Sequence, residues 1–132
     1  DQGLTSEPTK AMQAAMAGAP YHISFNGTMQ FHWASDVAEQ FIDAALYPLD
    51  GAYAFTLGGT PVSVETVADV IRRYRPQAEI TVAQKLLPFP EGFDNSELRS
   101  RFTTIYETPL DEGIRQTMEQ IGERLADGRL QA

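Results

Sequence analysis

Tyr21-His22-Ile23-Ser24-Phe25, then Asn26-Gly27-Thr28, then Met29-Gln30-Phe31-His32-Trp33 are two runs in which apolar and polar residues alternate, parted by turn-forming residues. A period of two lines one side-chain set along one face of a strand, and two such runs around Asn-Gly read as a β-hairpin. The register decides which side chains meet. A two-residue loop sets Phe25 opposite Thr28 and Ile23 opposite Gln30, mixing apolar with polar. A three-residue loop sets Phe25 opposite Met29, Ile23 opposite Phe31 and Tyr21 opposite Trp33, and this second register is the expectation. His22 and His32 then fall on the polar face, and Met29 shares the apolar one with Trp33.

Outward from this segment the pattern turns helical. Upstream, Thr5-Ser6-Glu7-Pro8 supplies a hydroxyl cap, a carboxylate and a first-turn proline, and Gly18 follows the last apolar residues, predicting a helix from Glu7 to Ala17. Downstream, Asp36 and Glu39 are spaced as the ends of a capping box, and Val37, Ala38, Phe41, Ile42 and Ala45 form the stripe of a helix that ends before Pro48. Ala52 to Leu57, nearly all apolar and stopped by Gly58-Gly59, has the composition of a strand covered on both faces. Ser63 caps a further helix, with Val64, Val67, Ala68, Ile71 and Tyr74 inward and Pro76 as its stop. A strand is expected over Glu79 to Ala83, an irregular crossing with Pro88 and Pro90 over Gln84 to Asp94, and a short helix from Asn95 through Leu98. In the last helix, opened by Thr108-Pro109, Leu110, Ile114, Met118, Ile121 and Leu125 recur at helical steps before Gly128.

The 132 residues are 42% hydrophobic, which suits one domain spanning residues 1–132 with one core. Eighteen acidic against ten basic residues leave a net charge of -8, which repels phosphate backbones and excludes DNA and RNA as partners. There is no cysteine, hence no disulfide, thiolate zinc site or cysteine nucleophile. No run of eighteen apolar residues marks a membrane span, and the polar start Asp1-Gln2-Gly3 has neither the basic region nor the apolar stretch of a signal peptide, so the cytoplasm is the expected location. With no methionine ahead of Asp1, a piece of a longer protein is expected.

No single motif establishes a reaction. His32, Ser35 and Asp36 include the residue types of a nucleophilic triad, but geometry defines a triad, and Ser35 and Asp36 already have a place at a helix start. His22 and His32 lack the further ligands a metal needs. Gly58-Gly59 stands where backbone amides could cradle a phosphate, yet it is not a Gly-x-Gly-x-x-Gly turn. Asp111 and Glu112, a possible acid/base pair, also suit the positive end of a helix dipole.

The order of several segments says more. Gln30-Phe31-His32-Trp33-Ala34-Ser35-Asp36-Val37-Ala38, Ala52-Tyr53-Ala54-Phe55-Thr56-Leu57-Gly58-Gly59, Val62-Ser63-Val64, Phe93-Asp94-Asn95-Ser96-Glu97-Leu98 and Thr108-Pro109-Leu110-Asp111-Glu112-Gly113-Ile114-Arg115 together resemble the C-terminal, substrate-binding part of extended short-chain dehydrogenase/reductase proteins of the NAD-dependent epimerase/dehydratase family. The resemblance covers nearly the whole chain and is specific to the family, not to a substrate. It implies hydride transfer to and from NAD or NADP, with a tyrosine as acid/base and a lysine lowering its pKa. Neither Gly-x-x-Gly-x-x-Gly nor Tyr-x-x-x-Lys occurs here, so this chain alone is not expected to hold the cofactor or to catalyse, and the nucleotide-binding half is an expected partner. The resemblance assigns Ser6 to a polar contact near the substrate and Phe25 to the lining of its cleft. Nucleotide-sugar members carry an arginine where Met29 stands. Met29 cannot pair with a diphosphate, which argues against such a substrate unless another cation, such as Lys85, replaces it. For each of these residues the alternative role is packing.

The expectation is therefore an α+β substrate-binding domain with a β-hairpin, short strands and about five helices, without a Rossmann nucleotide-binding half. It would recognise a carbohydrate-like small molecule for an NAD(P)-dependent sugar or sugar-acid epimerase, dehydratase or dehydrogenase. The alternative is a free-standing small-ligand-binding or protein-interaction module. Apolar surfaces left without that half would drive self-association, most simply as a homo-oligomer.

Overall fold

Ile23, Val64, Val67, Ala68 and Ile71 are wholly or almost wholly excluded from solvent, and the elements that carry them define the fold. In the computed structural model, which describes residues 3–48, 50–59 and 61–130, a 3-10 turn (Leu4–Ser6) leads into α1 (Glu7–Ala17). There follow β1 (Tyr21–Ile23), β2 (Thr28–Gln30), α2 (Ala34–Leu46), β3 (Pro61–Ser63), α3 (Val64–Tyr74), β4 (Ile80–Val82), α4 (Ser96–Arg101) and α5 (Leu110–Ala126). The class is α+β, with five helices and two small sheets among the described residues. Helices α1, α3 and α5 pack on one another and on β1 and β4, and enclose one core.

The helix signals are local and act as read. Gly18 ends α1 in the left-handed conformation, at φ 72°. The Ser63 hydroxyl accepts from the backbone N of Thr66 at 3.0 Å and opens α3. Apolar positions of α3 and α5 turn inward at the expected spacing. Two capping assignments are corrected. Ser6 is the residue before α1 but makes no cap bond; its Oγ donates back to the Gly3 carbonyl at 2.6 Å. Asp36 is the third residue of α2 rather than its cap.

The strand pairing differs from the hairpin. β1 pairs in parallel with β4, Tyr21 beside Ile80 and Ile23 beside Val82, and β2 pairs antiparallel with β3, Thr28 beside Ser63 and Gln30 beside Pro61. The face assignment survives, since Ile23, Phe25 and Met29 are buried while His22 and Ser24 are exposed. What changes is the partner. The turn's backbone groups go elsewhere: Asn26 N donates to Lys85 O, Leu87 N donates to Asn26 O, and Gly27 O accepts from Val64 N. Alternation specifies a buried face and leaves open which strand lies alongside.

The strand expected over Ala52 to Leu57 does not form; these residues have no regular structure, and Tyr53 is exposed. Among the described residues no backbone–backbone hydrogen bond is made by Ala52 to Gly58. A strand needs a neighbour for its ladder, and among the described residues this segment has none. Instead Phe55 packs edge-on against Phe102 and lies parallel to Tyr53, and Tyr47 packs on Phe102 from another side.

Core and surface should respond differently to truncation. Ile71→Ala is expected to cost about 2–5 kcal/mol, the range for a buried aliphatic cut to alanine. Phe41→Ala, on the outer face of α2, should change stability by no more than about 0.5 kcal/mol. Urea unfolding of the two variants checks both values.

Candidate functional site

Helix α2 is inverted relative to its apparent amphipathicity. Its one buried residue is Gln40, at 4% exposure, while Phe41, Ile42 and Leu46 are 67%, 52% and 78% exposed. The inner face of α2 is polar and meets the segment 105–108. There the Asp36 carboxylate accepts from Thr108 twice, from the backbone N at 2.6 Å and from Oγ1 at 2.8 Å. One further contact comes from Tyr106, whose hydroxyl donates to Asp43 at 3.0 Å. That bond, aided by partial burial, raises the Tyr106 pKa, since the carboxylate favours the protonated phenol.

Fixing α2 in this way leaves two depressions on either side of Trp33. One, of about 280 Å³, runs between α1 and α5, where Thr5, Thr9, Met12, Thr117 and Gln120 line it with Trp33 and Ser35. The other, of about 310 Å³, lies between the 31–33 segment, Gly58-Gly59 and residues 106–110. Phe31, His32, Trp33 and Thr108 border both. Aromatic faces with scattered hydroxyl and amide groups make a lining suited to a small polar molecule with an apolar side.

The structure locates the residues singled out in the sequence. Ser6 is buried at the mouth of α1, beside the groove-lining Thr5 and Pro8. Phe25 and Met29, at 1% and 9% exposure, belong to the core, and Lys85 is exposed in the crossing segment. Neither depression is lined by Phe25, Met29 or Lys85. His32, Ser35 and Asp36 do not form a triad: no hydrogen bond joins any two of them, and Asp36 is committed to Thr108. His22 bonds Thr81 Oγ1 at 2.8 Å across the β1–β4 sheet and lines neither depression, while His32 borders both. Among the described residues no three metal-ligating side chains gather.

Glu112 is no acid/base group. Hydrogen bonds from Arg115 and Gln116 outweigh the effect of burial and bring its pKa down to about 2, so it holds no proton to give near neutrality. Its neighbour Asp111 is held by the Tyr74 hydroxyl and by Arg73. The glycine pair does not fit a dinucleotide phosphate either. It leads into β3 rather than into a helix N-terminus, and a Cβ on Gly58 would come within 2.6 Å of the Asn95 side chain. Close approach of Asn95 is what this position requires of glycine.

No family model matches the sequence, and no curated protein matches it. Among solved structures the chain is similar to one titled a partial consensus L-threonine 3-dehydrogenase, with a TM-score of 0.81 and 17% sequence identity over 93% of this chain and 43% of that one. The likeness shows the fold: this chain is built like part of a dehydrogenase chain. It spans less than half the length of that neighbour. The resemblance read from the ordered segments and this structural likeness agree at the level of fold. Among the described residues no helix is long and apolar enough to cross a membrane.

Asp36 and Thr108 should behave as one unit. Asp36→Ala is expected to cost roughly 1–3 kcal/mol, because it strips partners from a half-buried backbone N–H and a hydroxyl. Thr108→Ala added to it should cost much less than it does alone, with a coupling of about 0.5–3 kcal/mol. A double-mutant cycle followed by urea unfolding measures the term, and additive losses would show that the two residues act separately.

Proposed function

We propose that this chain is the substrate-recognition part of an NAD(P)-dependent oxidoreductase or epimerase acting on a sugar or sugar acid, and that it works against a separate nucleotide-binding half. The observation that carries this reading is the inverted α2. Leaving Phe41, Ile42 and Leu46 in water forfeits roughly 1.5–3 kcal/mol for each side chain that could be fully buried, and an apolar patch of this kind marks a contact surface. The adjacent 52–58 segment, apolar and without backbone partners, is in the form a sheet edge can capture. Both features call for a partner that ends in a sheet, as a dinucleotide-binding half does.

In this reading the cofactor, NAD or NADP, is held by that other half together with the tyrosine and lysine of the chemistry. The residues here bind and orient substrate. Ser6, Thr5 and Thr9 provide hydroxyl contacts at the start of α1, Trp33 and Phe31 provide apolar walls, and Lys85, which lines neither depression, would have to reach a carboxylate from outside them. Phe25 and Met29 act from beneath, by shaping the core under α1. A second reading, a free-standing ligand-binding or interaction module, draws on one observation: α1, α3 and α5 enclose a continuous core without outside help.

Gel filtration with light scattering separates the two. An unaccompanied chain with a docking face should self-associate as its concentration rises into the high micromolar range, and Phe41→Glu with Ile42→Glu should return it to a monomer without loss of urea stability. A chain that stays monomeric throughout would favour the free-standing module and sink the docking face. A titration with NADH should give no saturable fluorescence change with this chain alone.

A further inference from the structure

Asp36, Gln40 and Asp43 follow one another at one-turn spacing along the inner face of α2. The outer two are tied to the 105–108 segment, Asp36 to Thr108 and Asp43 to Tyr106. Between them, Gln40 is 4% exposed, and its Nε2 has no hydrogen-bond partner among the described residues. Gln40 borders a cavity of about 10 Å³, room for a single oxygen-sized group. Four walls of that cavity, His32, Asp36, Gly58 and Tyr106, are also walls of the 310 Å³ cleft beside Trp33. A buried donor thus borders a small cavity that shares four walls with a cleft of a volume that suits a sugar ring.

The walls also select by charge. No lysine or arginine lines either space, while Asp36 and Glu107 do, so a carboxylate or phosphate would meet acidic neighbours without a compensating cation. Phe31, Trp33 and Tyr106 offer aromatic surface to the C–H face of a ring.

We propose that this cleft is a subsite for a neutral, hydroxyl-rich ligand of the carbohydrate class, one of whose hydroxyl oxygens enters the recess and accepts a hydrogen bond from Gln40 Nε2. The proposal rests on the reading of this chain as a carbohydrate-recognising part, and adds the residue and the charge class. It also explains a polar side chain kept at the one buried position of a helix whose apolar residues face outward. Gln40 is here a binding residue with no part in bond making.

Trp33 is the sole tryptophan and lines the cleft, so its fluorescence reports occupancy. The chain is titrated with D-glucose, D-glucitol and D-gluconate, and the titrations are repeated with Gln40→Leu. The expected result is a saturable Trp33 response to a neutral sugar or polyol, a weaker response to gluconate, and a loss of affinity of about five- to tenfold in Gln40→Leu, the worth of one net hydrogen bond. Gln40→Met serves as the second variant should Gln40→Leu not fold. Three results overturn the subsite: gluconate binding more tightly than the neutral compounds, wild-type affinity in the Gln40 variants, or no response to any neutral compound. Wild-type affinity in the variants refutes the Gln40 contact alone, with a water satisfying Nε2, and leaves carbohydrate recognition standing. No response to any of the three compounds takes carbohydrate recognition down as well.

Discussion

Both oxygens of the Asp36 carboxylate are occupied by Thr108, 72 positions later in the chain. This pair fixes the rotation of α2 about its own axis. At 3.6 residues per turn, turning Asp36 toward the 105–108 segment brings Gln40 and Asp43 to the same side, and sends Ala38, Phe41, Ile42 and Ala45 to the opposite one. The polar stripe is therefore the buried one. The Tyr106–Asp43 bond repeats the attachment two turns on, so α2 is held along its length by hydrogen bonds where α3 and α5 are held by packing. Charge-assisted bonds at two points carry directional information that apolar contacts lack, which lets a helix keep its orientation while its apolar face stays uncovered.

Much of this fold is visible in local sequence. Helix ends lie where Gly18, Ser63, Pro76 and Thr108-Pro109 place them, and the buried positions of α3 and α5 follow the helical period, because caps and periodicity act over a few residues. Pairing is not local. The alternation around Ile23 and Met29 names their buried face correctly, but β1 finds β4 and β2 finds β3, and nothing within Tyr21 to Trp33 specifies partners 59 and 31–35 residues away. Ala52 to Leu57 shows the limit from the other side. Its composition describes a strand between two covering layers, and among the described residues no ladder partner is found, so the propensity goes unused.

The stripe Val37, Ala38, Phe41, Ile42 and Ala45 was legible as a stripe, and its destination was not. Periodicity says that a face is apolar; it does not say against what. The same limit applies to Asp36, where an Asp-x-x-Glu spacing is equally consistent with a capping box and with the third position of a helix. Only Thr108, arriving from the far end of the chain, decides. Among the residues that the resemblance assigns to a site, Ser6 lies beside Thr5 and Pro8 but lines neither depression, and Phe25 and Met29 are core residues, the packing role that hydrophobic alternation also allows them. Trp33 was read as an apolar face residue, and the pair of depressions it divides exists only once α1, α2 and α5 are brought together. Gln40 carried no signal at all: a lone amide inside an apolar run looks like a surface residue until the helix is rotated.

One element thus separates two surfaces of different chemistry. The inner side of α2 presents Asp36, Gln40 and Asp43 to the segment that walls the cleft, and the outer side leaves Phe41 and Ile42 exposed. The helix is about one helix diameter thick, roughly 10 Å, and is attached inward by a few hydrogen bonds rather than by a packed apolar seam. A body that covers the outer face therefore bears on the same element whose other side sets the spacing of Asp36, Gly58 and Tyr106. A displacement would be transmitted through the Asp36–Thr108 and Asp43–Tyr106 hydrogen bonds, the attachments that hold α2 to the 105–108 segment. In the proposed function, docking and ligand recognition would then share one mechanical part, the helix α2.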